Sequence, residues 1–119
     1  MIGTVTLNRE EIKKFIIDYF SDYKDINVYF KETCAKTGTG IVVSHSHETK
    51  NGSTIKLNEE LEIDDVKEIF TNVFSNEGYV ATNVYLDTKR IGDGYGECIE
   101  LQSIKVSLHK KEKVKQKTL

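Results

Sequence analysis

The hydrophobic residues of the chain recur at two different spacings, and the change of spacing divides the sequence into helices and strands. Over residues 9–23 they recur every three or four positions, which places them on one face of a helix. Asn8 precedes this segment and Glu11 follows three residues later, which is the spacing of a capping box. The helical spacing returns over residues 63–75, with Gly78 suited to follow the helix end. The pattern therefore predicts two amphipathic helices.

Five other segments are predicted as strands. They are residues 26–34, 41–48, 53–57, 79–88 and 97–109. The second and third are joined across Asn51 and Gly52, a dipeptide typical of a type I′ hairpin turn. In the last segment the apolar positions change from odd to even numbers, which predicts a β-bulge or bend near Gln102 and Ser103.

The predicted order is α-β-β-β-α-β-β, which defines an α+β domain. We expect an antiparallel sheet with two helices packed on one face and a long, bent last strand. Residues 1–109 should form this single domain, and residues 110–119 a basic, frayed C-terminal tail. The last strand would reach about 40 Å at about 3.3 Å per residue, so we expect it to act as an arm in a homodimer.

The charge of the chain is small in total but unevenly distributed. Among 119 residues there are 17 Lys and Arg against 19 Asp and Glu. Residues 105–119 carry six Lys and one Glu, a charge of +5, so residues 1–104 carry 11 basic and 18 acidic residues, a charge of −7. We expect the acidic patch around the start of the second helix to bind a partner. Its residues are Glu59, Glu60, Glu62, Asp64, Asp65 and Glu68.

Candidate chemistry is sparse along the chain. No catalytic signature and no apolar run of membrane-spanning length are present, so we expect a non-enzyme without a cofactor and without a membrane segment. His45 and His47 would face the same side of a strand, which makes them weak metal candidates, but we expect polar strand-end histidines and no metal. Cys34 and Cys98 are expected to be free, buried thiols of a cytoplasmic protein.

The charge pattern makes protein binding the first functional hypothesis. We expect a small binding protein that acts by occupying a partner, as phage or mobile-element inhibitors of host machinery do, for example against a nucleic-acid-binding defence complex. The alternative is a nucleotide or nucleic-acid binder that uses the basic tail, a cation pair and sheet tyrosines. Its candidate residues are Tyr29, Tyr85, Lys89, Arg90, Lys110, Lys111 and Lys113. A third hypothesis is a phage structural or assembly subunit.

Overall fold

The computed structural model describes residues 2–92 and 97–112, which form two helices and six strands. The strands are β1 (Ile2–Leu7), β2 (Lys24–Phe30), β3 (Gly38–Glu48), β4 (Thr54–Glu62), β5 (Tyr79–Ile91) and β6 (Cys98–Lys110). The helices are α1 (Arg9–Tyr19), between β1 and β2, and α2 (Ile63–Asn76), between β4 and β5. The α+β class is confirmed, and so is the order of the predicted elements. Among the described residues, no helix is long and apolar enough to cross a membrane.

The strands are divided between two antiparallel sheets of three, with the orders β1-β6-β5 and β2-β3-β4. The prediction lacks β1, because this short strand has no adjacent hairpin signal that would identify it. Residue pairs such as Val5 and Val106 join β1 to β6. β6 is therefore the central strand of its sheet, and its residues pair with β1 and β5 of the same chain. The length of β6 therefore no longer supports the expectation of an arm that pairs with a second subunit.

The helix ends follow their local signals. At the start of α1, Asn8 Oδ1 accepts a hydrogen bond from the Glu11 backbone N–H at 2.9 Å, and Glu11 Oε1 accepts one from the Asn8 N–H at 3.1 Å. The predicted capping box is confirmed. The helix ends four residues earlier than predicted, since β2 begins at Lys24 in order to pair with Ser46 of β3. Gly78 follows α2 with a φ of 91°, as predicted.

The hairpin of β3 and β4 is confirmed, but its turn differs from the prediction. A type I′ turn needs positive φ at both central residues. Here Gly52 has a φ of 84°, whereas Asn51 does not have positive φ. The loop runs from Thr49 to Ser53, and the Thr49 N–H donates to the Ser53 carbonyl at 2.8 Å. The dipeptide therefore located the hairpin without defining its turn type.

The irregularity predicted in the last strand lies at Gln102. Ser103 of β6 pairs with Asp87 of β5, and Leu101 pairs with Thr88, so Gln102 is an extra residue without a partner in β5. Such a bulge reverses the alternation of side chains along the strand. The apolar residues on both sides of Gln102 can therefore face the same core.

One apolar cluster joins both helices to both sheets. Ile16 of α1, Phe70 of α2, Val28 of β2 and Val106 of β6 are all fully buried within it. Each side chain of this kind contributes about 1.5–3 kcal/mol by leaving water. The two helices therefore hold the two sheets together through a shared core.

Two further links join the sheets directly. Thr33 and Ile99 exchange backbone hydrogen bonds of 3.0 and 2.8 Å in an isolated antiparallel bridge. Beside this bridge, Cys34 and Cys98 form a disulfide. The prediction of free, buried thiols is wrong, because the fold brings together two cysteines separated by 64 positions. Since disulfides persist mainly in oxidising compartments, the two cysteines no longer support the expected cytoplasmic location.

Gly40 of β3 lies very close to Lys31, the residue that follows β2. Its φ is 77°, and a Cβ atom at this position would overlap the carbonyl oxygen of Lys31. The Lys31 N–H donates to the Gly40 carbonyl at 2.8 Å. The register between β3 and β4 also shifts between Gly38 and Val42. This part of β3 therefore requires glycine for both its conformation and its close contact.

Removing the disulfide should destabilise the fold. The Cys34→Ser/Cys98→Ser double variant should lose about 2–4 kcal/mol of unfolding free energy, because the unfolded chain regains the entropy of a long closed loop. Chemical denaturation measures the loss, and the wild-type protein in a reducing agent should behave like the variant. A double variant as stable as the oxidised wild type would contradict a structural role for this bond.

Gly40→Ala should lower the free energy of unfolding by about 1–3 kcal/mol, because the new methyl group is forced into a strained backbone and against Lys31. Gly3→Ala is the matched control, since nothing lies within 4 Å of a Cβ atom there. Thermal denaturation of the two variants measures the difference. Equal melting temperatures would show that β3 relaxes around the added atom.

Candidate partner-binding site

An open groove of about 270 Å³ lies between the end of α1, the first half of α2 and the inner side of β4. We call it the acidic groove, because three of its lining residues are carboxylates. The residues that line it are Tyr19, Phe20, Glu59, Leu61, Asp65, Glu68 and Ile69.

The local geometry of a strand and a helix explains why the carboxylates converge. Glu59 and Leu61 alternate along β4, so both face the helices. Asp65 and Glu68 are three residues apart on α2, so they share one helix face. The described residues that line the groove include no Lys or Arg. The negative charge of the groove is therefore not compensated within its walls.

Aromatic and apolar side chains form the rest of the groove. The rings of Tyr19 and Phe20 pack edge to face with centroids 5.1 Å apart. The Tyr19 hydroxyl accepts a hydrogen bond from Asn72 Nδ2 at 3.3 Å, which holds the ring near α2. Leu61 and Ile69 are buried beneath the opening. Carboxylates beside one exposed and one half-buried ring suit a Lys or Arg side chain, whose stem packs on the rings while its charge meets the acids.

Three residues of the predicted acidic patch therefore meet in the groove. Of the others, Asp64 is exposed in the first turn of α2. Glu62 precedes the helix, and its backbone N–H donates to Asp65 Oδ2 at 2.9 Å. Acidic residues at this end favour helix formation, because they face the positive end of the helix dipole. This part of the patch consequently stabilises α2.

Glu60 belongs to a structural cluster on the opposite face of β4. Its Oε2 accepts a hydrogen bond from Thr33 Oγ1 at 2.8 Å, and its Oε1 lies 3.0 Å from Lys31 Nζ. Burial raises the pKa of Glu60. Hydrogen bonds from Thr33, Lys31 and the Gly40 backbone lower it by a larger amount, so the net pKa lies below its usual value of 4.5. Glu60 is thus a structural anion, and its hydrogen bond with Thr33 stabilises the Thr33–Ile99 bridge between the sheets.

The described residues predicted to bind nucleotides or nucleic acid are divided between the two sheets. Tyr29 is 41% exposed on the β2-β3-β4 sheet, whereas Tyr85 is 54% exposed on the β1-β6-β5 sheet. Lys89 lies four residues after Tyr85 and on the same face of β5. Arg90 faces the other way and forms an ion pair with Glu97.

The lysines at the end of the described chain are also separate from these tyrosines. Lys110 ends β6 opposite Tyr79. Lys111 Nζ donates to the backbone oxygen and to Oγ of Ser75, at 2.9 and 2.7 Å, at the C-terminal end of α2. A cation is favourable there, since this is the negative end of the helix dipole. Lys113 lies outside the described residues.

His45 and His47 face the same side of β3, opposite Leu57 and Ile55 of β4. The His45 ring packs against Tyr23 with centroids 4.5 Å apart, and its buried Nε2 has no hydrogen-bond partner among the described atoms. His47 is exposed. In the ranges 2–92 and 97–112, no cluster of three or more His, Cys, Asp or Glu side chains suits a metal ion. The two histidines instead extend the inner face of the hairpin beyond the groove.

The sequence pattern does not predict the aromatic part of the groove. Its spacing assigns Tyr19 and Phe20 to the buried face of the first helix, where apolar residues usually pack. The predicted stripe continues to Tyr23, whereas α1 ends at Tyr19, so no local signal shows that these two rings lie near an opening. Contact with α2 and β4 is a tertiary feature, so the sequence could not show which charges would lie beside these rings.

Comparison of the chain with protein-family models, with curated proteins and with solved structures finds no match.

Glu60→Gln should destabilise the fold by about 1–2 kcal/mol at neutral pH, because it removes a charged hydrogen-bond acceptor. The pKa of Glu60 is lower in the folded protein, so its stabilising effect is complete above about pH 4.5 and is lost as the pH falls through the folded-state pKa. Thermal unfolding of both proteins across this range should show melting temperatures that converge in acid. A constant difference at every pH would contradict this account.

Proposed function

We propose that the protein is a small, non-enzymatic binding protein that occupies a basic surface of a protein partner through its acidic groove. The observation that carries the proposal is the convergence of Glu59, Asp65 and Glu68 beside the rings of Tyr19 and Phe20, with no basic residue among the described lining residues. Such a groove attracts cations by charge and offers their aliphatic stems a surface for packing.

The charge of residues 1–104 supports a partner of this class. Residues 1–104 carry a charge of −7, which steers the protein toward positive surfaces and away from phosphate backbones. Strongly basic surfaces are typical of proteins that bind nucleic acid. We therefore propose that the protein covers the nucleic-acid-binding surface of its partner. That action fits a phage or mobile-element inhibitor of host machinery.

Direct binding of nucleic acid by this chain has weaker support. Its candidate tyrosines lie on two different sheets, and Arg90 and Lys111 already have partners within the protein. The stacking platforms of single-strand binders need neighbouring rings along one charged surface. No feature of the described residues favours an assembly subunit over a binding protein.

Reversing the charge of the groove should abolish partner binding. The Glu59→Lys/Glu68→Lys variant leaves Asp65 in its capping role and should weaken the complex about 100-fold, because buried ion pairs become repulsive contacts. Glu48→Lys/Glu77→Lys is the matched control. Both of its positions are exposed and outside the groove, and its net charge changes by the same amount.

The measurement has two stages. Immobilised wild-type protein first retains partners from a bacterial extract, and the strongest is identified and purified. Its binding to labelled nucleic acid is then measured with each of the three proteins as competitor. Wild type and control should displace the nucleic acid, and the groove variant should not. The proposal is wrong if the groove variant competes equally well, or if no retained partner binds nucleic acid.

A further inference from the structure

The acidic groove continues into an unpaired edge of β4. This strand is last in the order β2-β3-β4, and no described strand pairs with its other side. Residues 54–59 are all exposed. An unpaired edge offers a row of backbone donors and acceptors, so it can pair with a strand from another chain. We call this side of residues 54–59 the open edge.

The hydrogen bonding of the hairpin identifies the backbone groups on the open edge. The Thr49 N–H donates to the Ser53 carbonyl, which makes this a hydrogen-bonded pair. Bonded and non-bonded pairs alternate along an antiparallel ladder, and the register of β3 and β4 is continuous beyond this point. The N–H and C=O groups of Thr54, Lys56 and Asn58 therefore point away from β3.

β4 lacks two of the features that commonly block an edge strand, a proline and a bulge. The chain contains no Pro, and the strand has no bulge between Thr54 and Glu60. Ile55 and Leu57 are 44% and 39% exposed, and both face the side on which the groove lies. The charged side chain of Lys56 lies on the opposite face. The open edge is therefore flat, accessible and bordered by apolar side chains.

The order of side chains on β4 predicts the sequence that would fit. Ile55, Leu57 and Glu59 form a row with a spacing of about 6.7 Å, which is two residues of a strand. A strand added antiparallel to β4 would place a basic residue beside Glu59, followed by apolar residues beside Leu57 and Ile55. The fitting pattern is basic-x-apolar-x-apolar, read from its N-terminal end.

A second copy of this chain fits the open edge poorly. Two β4 strands paired antiparallel about Leu57 would bring both sets of groove carboxylates to one interface. Each copy also carries a net charge of −2. Like charges across an interface are unfavourable, whereas a cationic segment would neutralise the groove. Charge therefore selects a basic partner over self-association.

We propose that the protein binds its partner as an extended, basic segment that adds to β4 as an antiparallel strand. This inference rests on the proposed function, because it states how the same groove holds a basic partner. Backbone hydrogen bonds to Thr54, Lys56 and Asn58 supply affinity that is independent of sequence. The groove carboxylates and the Ile55–Leu57 pair select the side chains.

The probe for this mode is the fluorescein-labelled hexapeptide Lys-Thr-Val-Thr-Val-Thr, and fluorescence anisotropy measures its binding to the full chain. We expect saturable binding with a Kd below about 1 mM. A copy that is N-methylated on the amides facing β4 should bind at least about tenfold more weakly, because it cannot donate to the open edge. Absence of saturable binding by the unmethylated peptide would overturn the inference.

Asn58→Pro tests the same hydrogen bonds from the side of the protein. This substitution removes an outward N–H and leaves the ladder with β3 intact, so peptide affinity should fall about tenfold. Asn58→Ala keeps the N–H and should bind within about twofold of the wild type. If circular dichroism shows that the proline variant is unfolded, the N-methylated peptide on the wild-type protein decides the question.

The Glu59→Lys/Glu68→Lys variant separates this inference from the proposed function. If both the groove variant and N-methylation weaken peptide binding, the result supports strand addition at the groove. Sensitivity to groove charge alone would overturn strand addition and leave the groove as a docking site. Sensitivity to N-methylation alone would overturn the role of the groove, and insensitivity to both would overturn both proposals.

Discussion

The link between the two sheets is the constraint on which the candidate site depends. Thr33 and Ile99 join the sheets by two backbone hydrogen bonds, and the Cys34–Cys98 disulfide lies beside them. Glu60 of β4 accepts a hydrogen bond from Thr33, so the strand that carries one wall of the groove is attached to the same link. Because this link ties β4 to the second sheet, it also fixes where that wall lies relative to the helices.

The two-residue period of β4 lets neighbouring glutamates serve different purposes. Glu60 faces Lys31 and Thr33, and its hydrogen bonds keep its pKa low and its charge within the fold. Glu59 faces the groove, where no described lining residue balances its charge. A cluster of acidic residues in a sequence therefore divides into structural and exposed charges, and the strand geometry alone determines which residue belongs to which class.

α2 keeps the acidic groove away from the basic end of the described chain. The helix has 14 residues and is about 21 Å long. Asp65 and Glu68 lie toward its N-terminal end, whereas Lys111 binds Ser75 near its C-terminal end. Both placements agree with the helix dipole, which favours anions at the first end and cations at the second. Charges of opposite sign are thus held at opposite ends of one rigid element.

The features that the sequence by itself determined depend on residues close together along the chain. The capping box of Asn8 and Glu11 spans three positions, and the change of alternation that predicts the Gln102 bulge occurs within one strand. Two sheets, a disulfide and a groove were decided by the tertiary structure, because each joins residues far apart in sequence. Cys34 and Cys98 have no spacing that indicates a bond, and the chain cannot show locally that Tyr19 will lie beside the acids of α2. Local energetics specify helices and turns, whereas packing of a shared core specifies which surfaces meet.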